Sequence, residues 1–401
     1  MLLLFCIKKY FSIMKHKDKI GFLLVALLFI VSLCWPVCKS DFDDFGKFQD
    51  VSHFSDSIDL NLIRQSIGDN KIVMLGELTD NDGTVLEVKS DLVKMLHKKL
   101  GFDAIIFKSG NYDVWLMNYL SKIADTCINP KIGIEGKWSN PEEMSDFWKY
   151  ISNNEISVSG YGFNPCSGNL SDEQRFSFLE QYLSTKEINL NDYHDFMSMK
   201  GRLRWSFFDK MYSDSVKMLI LGDIEDIVKL CGEPVDDIDR AYINYLTGLG
   251  QWLNMSWFKN ESEYENDRDS ILVQNISRII GESDERKVIV WTDNLDCINL
   301  RQRLDSLYHN NCYTICFTSY CRMNSDRTFS YGVGSNSSLE NHLHKLSKSS
   351  VFIDFTDSII ANSFDGKFKL KIESGYDIKN NWHERIDGLI FLDTIYDVVE
   401  K

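Results

Sequence analysis

The 401-residue sequence predicts an α/β protein: a mainly parallel sheet flanked by helices, carrying a helical cap or insert. Three observations carry this prediction. Short, almost uninterrupted apolar runs recur along the chain, as strands buried on both faces should read. Helical periodicity, rather than tight hairpin turns, separates the first of them, so the connections are long enough for parallel pairing. From about Ser171 to Gly281 the pattern is mostly helical and aromatic, which predicts a cap packed over the sheet's crevice.

The first strand is Ile72-Val73-Met74-Leu75, which breaks at Gly76-Glu77-Leu78-Thr79-Asp80. The next stretch, Thr84 to Leu100, places Val85, Val88, Leu92, Met95 and Leu96 at helical spacing, with Gly101 as the residue that ends the helix. Ala104-Ile105-Ile106-Phe107 then completes a βαβ unit from Lys71 to Phe107. Helices are predicted at Trp115–Ile128 and Pro141–Asn153, the latter opened by Pro141 and the acids Glu142 and Glu143, which suit a helix's first turn. Val158–Phe163 reads as the third strand. Within the cap, helices are expected around Phe176–Leu179, Tyr193–Tyr212 and Tyr242–Phe258, with a last one holding Asp267 and Asp269 in its first turn and closed by Gly281. Strands resume at Val288–Trp291, Tyr313–Phe317, Val351–Phe355 and Leu389–Leu392. The expected organisation is thus an N-terminal segment 1–38, an acidic stretch 39–60, an α/β core made of 61–170 and 282–401, and a cap at 171–281.

Composition narrows the function classes. A net charge of −15 disfavours nucleic acid, which needs a basic face. At the N-terminus, Lys15-His16-Lys17-Asp18-Lys19 precedes an uncharged run from Ile20 to Cys38, the arrangement of a signal peptide. The run also approaches the ~20 residues that span a bilayer, so a retained anchor is the alternative, and Met14 is an alternative start. Cys34 and Cys38 are the candidate lipid-attachment positions, although the large Leu33 and Val37 stand where a lipobox has small residues. Export is expected, with membrane contact only through this segment. Seven scattered cysteines follow it, an odd number that argues against a disulfide framework. Cys312 and Cys316 share one face of a strand and read as buried apolar residues. No histidine completes a zinc set beside them.

Chemistry concentrates at two strand ends. In α/β sheets, residues at the carboxyl ends of strands line the ligand crevice. Here two such ends carry acids spaced three apart, Glu77/Asp80 and Asp293/Asp296.

These residues resemble the erythromycin esterase family. Its first motif, Gly-Glu-x-x-His after a strand, is matched by Gly76 and Glu77, with Asp80 at the His position. Its Arg on the following helix falls at Lys89, and its Glu at the next strand end falls at Lys108. Its second motif, Trp-x-His-Asn-x-His, is matched at Trp291 and Asn294, with Asp293 and Asp296 at the two His positions. Weaker matches are Trp138–Glu143, Gly160–Phe163, Arg268-Asp269 and Phe391–Asp393. The resemblance covers most of the chain after residue 50. It implies an α/β fold, substrate contact near Trp291 and Asn294, and a site whose first-motif His acts as general base on a water that attacks an ester.

The replacements bear on that reaction. Histidine's unperturbed pKa of about 6.5 suits a base at neutral pH; an aspartate starts near 3.9. Loss of macrolide-ester hydrolysis is therefore the expected consequence, with at most binding of a small-molecule ligand. If the six positions converge, four acids face two lysines, and Lys89 and Lys108 serve to neutralise buried charge. Two other readings remain: a hydrolase of an unknown ester that uses a carboxylate base, and a divalent-cation site, which the two lysines oppose. No metal and no cofactor is assigned. Outside this cluster, His97, His194, His309, His342 and His344 lie in separate segments without a nucleophile. Ser109-Gly110 lacks a partner base, and Gly332-Val333-Gly334 lacks a dinucleotide loop's setting.

Overall fold

The apolar runs form the sheet, and their order in space differs from their order in the chain. The computed structural model describes residues 58–401 except 167, 204–210, 282–285, 325, 327, 333–336, 365, 374–375 and 400–401. The N-terminal segment, most of the acidic stretch and part of Gly332-Val333-Gly334 lie outside the described residues. The strands are β1 (Ile72–Leu75), β2 (Ala104–Gly110), β3 (Ser157–Gly162), β4 (Val288–Trp291), β5 (Cys312–Met323), β6 (Phe329–Gly332), β7 (Ser350–Asp354), β8 (Phe368–Glu373), β9 (Tyr376–Asn380) and β10 (Gly388–Tyr396). Among the described residues the main sheet has eight strands, in the order β3-β2-β4-β1-β5-β10-β7 with β6 beside β5, and β8 and β9 form a separate hairpin.

Pairing is parallel from β3 through β10, while β7 and β6 pair antiparallel. Every residue of β1 and β4 is buried, so their continuous Ile/Val/Leu/Met/Trp runs are the interior of a covered sheet. β4 enters between β1 and β2, with Trp291 in register with both Leu75 and Phe107. The chain therefore runs from β1 outward to β3, returns to β4, and leaves in the other direction through β5. This reversal is a topological switch point, and it sets the ends of β1, β2 and β4 side by side.

Helices α1 (Leu60–Ile67), α2 (Gly83–Met95), α3 (Asn111–Ala124) and α4 (Ser145–Asn153) accompany the first strands. A π-helical turn, Leu96–Leu100, extends α2 and ends at Gly101, whose φ of 74° is the left-handed conformation expected of it. α3 starts earlier than the spacing predicts and ends before Ile128. Pro141 stands just outside the Glu142–Met144 3₁₀ turn that leads into α4.

Between β3 and β4 the described elements are all helical, chiefly α5 (Asp172–Thr185), α6 (Asp214–Cys231), α7 (Asp237–Phe258) and α8 (Glu261–Ile280). Of the helix expected at Tyr193–Tyr212, the described part is one short turn, His194–Met197. Asp267 and Asp269 lie well inside α8, not in its first turn. Asn260 and Glu263 form a capping box that starts the helix at Glu261, and the sequence reading overlooked it. Beyond the cap come α9 (Asn294–Tyr308) and α10 (Leu339–Lys345); α10 carries His342 and His344 in the helical setting expected of them.

Aromatic packing joins the parts. Phe107 stacks on Trp291 at 5.4 Å, with Phe147 and Trp148 against them. Tyr182 of α5 and Tyr242 of α7 stack at 4.2 Å, and Tyr112 of α3 meets Tyr245 of α7 at 4.4 Å. A fully buried ion pair, Arg175 to Asp113 at 2.6 Å, holds α5 to α3. The same Asp113 carboxylate accepts the Gly168 amide, so the buried charge is hydrogen-bonded on several sides, as it must be.

Candidate functional site

The six predicted residues converge at the switch point. Glu77 follows β1 and is buried. Trp138 Nε1 donates to both its carboxylate oxygens, at 3.1 and 3.0 Å. Lys89 points from α2 into the same spot: its Nζ lies 3.2 Å from Glu77 Oε2, donates to Thr292 O at 3.1 Å and sits 4.2 Å above the Trp291 ring. Burial lowers the Lys89 pKa, against the attraction of Glu77.

The second half forms around Lys108, the residue after the apolar part of β2. Its Nζ bridges Asp293 Oδ2 at 2.6 Å and Asp296 Oδ2 at 2.9 Å. Asp293 is also the N-cap of α9, its Oδ1 accepting the Asp296 amide at 2.9 Å. Burial pushes the Asp293 carboxyl up, but the Lys108 charge and hydrogen bond outweigh it and hold the group below the ordinary carboxylate range. Burial likewise opposes the Lys108 ammonium, and Asp296 and Asp293 together raise it. Asp296 also receives Arg268 Nη2 at 2.6 Å, brought in by α8 from the cap. Tyr161 OH donates to Thr292 Oγ1 at 2.6 Å and lies 3.4 Å from Asp296 Oδ2.

The halves are one site. The Asn294 amide donates to Glu77 O at 3.0 Å, so the two strand ends touch directly. Lys137 reaches Asp80 Oδ1 at 2.7 Å, Glu77 Oε1 at 3.6 Å and Glu135 Oε2 at 3.7 Å. Glu135 feels the ammonium groups of both Lys137 and Lys108. Asp80 is 69% exposed and stands on the rim, while Asp296 at 1% lies at the floor. Four motif carboxylates therefore meet four cations, not two: Lys89, Lys108, Lys137 and Arg268. Two of these cations are shared with further acids, Lys137 with Glu135 at 3.7 Å and Arg268 with Asp269 at 2.9 Å, so the crevice is a network of ion pairs.

Trp291 and Asn294, expected on the substrate side, are fully buried. Trp291 belongs to the aromatic stack. Asn294 clips three segments together: its Nδ2 donates to Phe317 O at 2.7 Å and Ile372 O at 3.0 Å, and its Oδ1 accepts Phe317 N at 3.0 Å. Gly76 is required beside it, since a Cβ there would sit 2.3 Å from Asn294 Oδ1. Ser109 is buried too, and its Oγ accepts the Glu135 amide at 3.1 Å.

Two acids went unnoticed in the sequence. Glu135 is 26% exposed at the crevice, and burial pushes its carboxyl up to about 7 against the pull of Lys137 and Lys108. Asp82, at the start of α2, is pushed up to about 7 by burial, opposed by Arg322 and by hydrogen bonds from Thr79. The signal available for Glu135 and Lys137 was their position three residues and one residue before Trp138, which opens one of the weaker motif matches. Arg268 stood in another. Among the described residues, no group of three or more His, Cys, Asp or Glu side chains converges to hold a metal ion.

No family model matches the chain, and neither does any curated protein. Solved structures do match. A Bacillus cereus protein superposes with a TM-score of 0.66 at 16% identity, over 86% of this chain and 95% of its own. A succinoglycan biosynthesis protein gives 0.67 at 15% identity, over 90% and 98%. A mutant of the erythromycin esterase EreC in its open conformation gives 0.59 at 12% identity, over 84% and 94%. The fold is erythromycin-esterase-like. At these identities the likeness is one of fold, and the chemistry rests on the residues of this chain. At the motif positions this chain has Lys108 facing Asp293 and Asp296, at 2.6 and 2.9 Å.

Proposed function

We propose that this is an exported protein of erythromycin-esterase-like fold whose crevice binds a small polar ligand and does not hydrolyse macrolide esters. The observation that carries the reading is the Lys108 bridge between Asp293 and Asp296. A general base must hold a free lone pair toward its water and have a pKa near the working pH. Asp293 is held low by Lys108, and both Glu77 oxygens are engaged by Trp138 and Lys89. Asp296 is tied to Lys108 and Arg268, and Asp80 to Lys137. An arrangement so fully paired suits a rigid polar wall better than a proton acceptor. The same fold in a protein of succinoglycan biosynthesis agrees with uses outside macrolide hydrolysis. Export is supported by the basic stretch Lys15–Lys19 ahead of the uncharged run to Cys38.

The test is turnover of p-nitrophenyl esters and of erythromycin by the wild type, with Glu77→Gln as the control. No rate above buffer is expected. Measurable turnover that disappears in Glu77→Gln would overturn the reading.

Glu135 supports a second reading, a hydrolase with a carboxylate base. Its pKa of about 7 and partial exposure are what such a base needs. That enzyme would show ester turnover rising with pH through about 7 and lost in Glu135→Gln.

A further inference from the structure

A cavity of about 520 Å³ opens on the outer side of β3, the edge strand of the main sheet. Its walls come from β3, α3, α7 and α8, and Glu77, Lys108 and Asp296 are not among them. The volume lies within the range of small-molecule sites, roughly 300–1,000 Å³.

The lining has a definite chemistry. Two side-chain amides cover the edge of β3: Asn118 Nδ2 donates to Val158 O at 2.8 Å, and Asn275 Nδ2 donates to Tyr161 O at 3.2 Å. Each is fixed by that bond and keeps further donor and acceptor capacity, because a primary amide has two N–H groups and a carbonyl. Asn111, Asn244 and Gln251 add three more amides from the facing helices. Trp115 supplies a flat, half-buried aromatic wall, held by stacking on Tyr119 at 5.0 Å and on Tyr112 at 5.9 Å. Charge in the wall is mixed: Asp237 lines the cavity beside Arg240, and the two form an exposed ion pair at 2.6 Å.

We infer that this cavity is a binding site for a neutral oligosaccharide. A sugar hydroxyl is donor and acceptor at once, which side-chain amides match and single charges do not. A pyranose ring also has apolar C–H groups that pack against an aromatic rim such as that of Trp115. A phosphorylated ligand would bring its negative charge beside the Asp237 carboxylate in the same wall. The site is separate from the ionic crevice but joined to it through one residue: Asn275 holds the Tyr161 carbonyl, and the Tyr161 hydroxyl faces Thr292 and Asp296.

The experiment is titration of the full-length protein with maltotriose, cellotriose and chitotriose, followed by calorimetry and tryptophan emission, with inorganic phosphate and AMP as charged probes. Gly248 of α7 lines the cavity, and a Cβ there meets no atom within 4 Å, so Gly248→Trp is the variant that introduces bulk into the space. Trp115→Ala removes the wall. Binding of at least one trisaccharide is expected, weakened about tenfold or more in Gly248→Trp or in Trp115→Ala while thermal unfolding of that variant stays cooperative. Three results would overturn the inference: no binding of any of the three sugars, binding undiminished in both variants, or binding of phosphate or AMP alone.

Discussion

Lys89 Nζ lies 3.2 Å from Glu77 Oε2, and neither side chain reaches solvent. The pair joins α2 to the end of β1. Removing one partner of such a pair leaves a buried charge without its counter-ion, at a cost of about 3–5 kcal/mol. Lys89→Met should therefore lower the urea unfolding free energy by about 3 kcal/mol, because Trp138 and Lys137 still contact Glu77. Adding Glu77→Gln removes the stranded charge, so the double variant should lose clearly less than the two single losses combined. Strict additivity would show that the pair is not coupled.

The steric contact between Gly76 and Asn294 predicts a second non-additive pair. Gly76→Ala sets a methyl carbon 2.3 Å from Asn294 Oδ1, and the neighbour cannot retreat because that oxygen accepts the Phe317 amide. The expected loss is about 3 kcal/mol or more. Asn294→Ala alone strands the Phe317 amide and two carbonyls, a comparable cost. In the double variant the collision with the amide is gone, so the sum of the single losses should exceed the measured loss by about 1 kcal/mol or more.

These two contacts also show how much of the molecule the sequence reveals. The runs at Ile72–Leu75 and Val288–Trp291 are strands because nothing but apolar side chains can occupy a sheet covered on both faces. Their strand-end acids are legible for the same reason. What the residues could not show is that β4 enters between β1 and β2, the step that brings Glu77 O onto the Asn294 amide. Strand order is set by long-range packing, and only the family resemblance pointed to the meeting of the two motifs. Lys137 and Arg268 were missed as counter-ions because each comes from a segment distant in sequence and reaches the crevice only once the cap and the 130s loop are in place. The hairpin of β8 and β9 is a different kind of miss. Phe368-Lys369-Leu370-Lys371-Ile372 alternates with period two, with Phe368, Leu370 and Ile372 buried, so the signal was present.

Glu135 predicts a pH effect of defined sign. Its carboxyl is raised to about 7, above its unfolded value near 4.5. A raised carboxyl contributes stability that is fully present below about pH 4.5 and lost as pH rises through 7, where the folded state must ionise it at a penalty. Glu135→Gln stays neutral throughout. The stability of wild type relative to the variant should therefore fall between pH 4.5 and 7.5, by about 1–2 kcal/mol after allowing for the group's partial exposure. Asp82 changes in the same direction in both proteins and cancels in the comparison. Urea midpoints at three pH values measure it; a flat or rising difference would show that Glu135 ionises freely.

Lys108 predicts the opposite behaviour and its reversal. In the wild type the Asp293 carboxyl is held below its usual range, so its contribution is present above about pH 3.8 and lost as pH falls through the lower folded value. Lys108→Met removes the ammonium that bridges Asp293 and Asp296 at 2.6 and 2.9 Å. Burial then acts on the Asp293 carboxyl without its largest opposition, and that carboxyl should titrate higher than in the wild type. Arg268 remains on Asp296, so the expected loss at pH 7.5 is moderate, about 2 kcal/mol. Acidification toward pH 4.5 should return part of that loss in Lys108→Met, while the same change does nothing to strengthen the Asp293 contribution in the wild type. Asp293→Asn in the Lys108→Met background should restore stability at pH 7.5 and abolish the acid recovery. If Lys108→Met instead weakens equally at both pH values, the bridge acts through packing of the lysine stem and not through its charge.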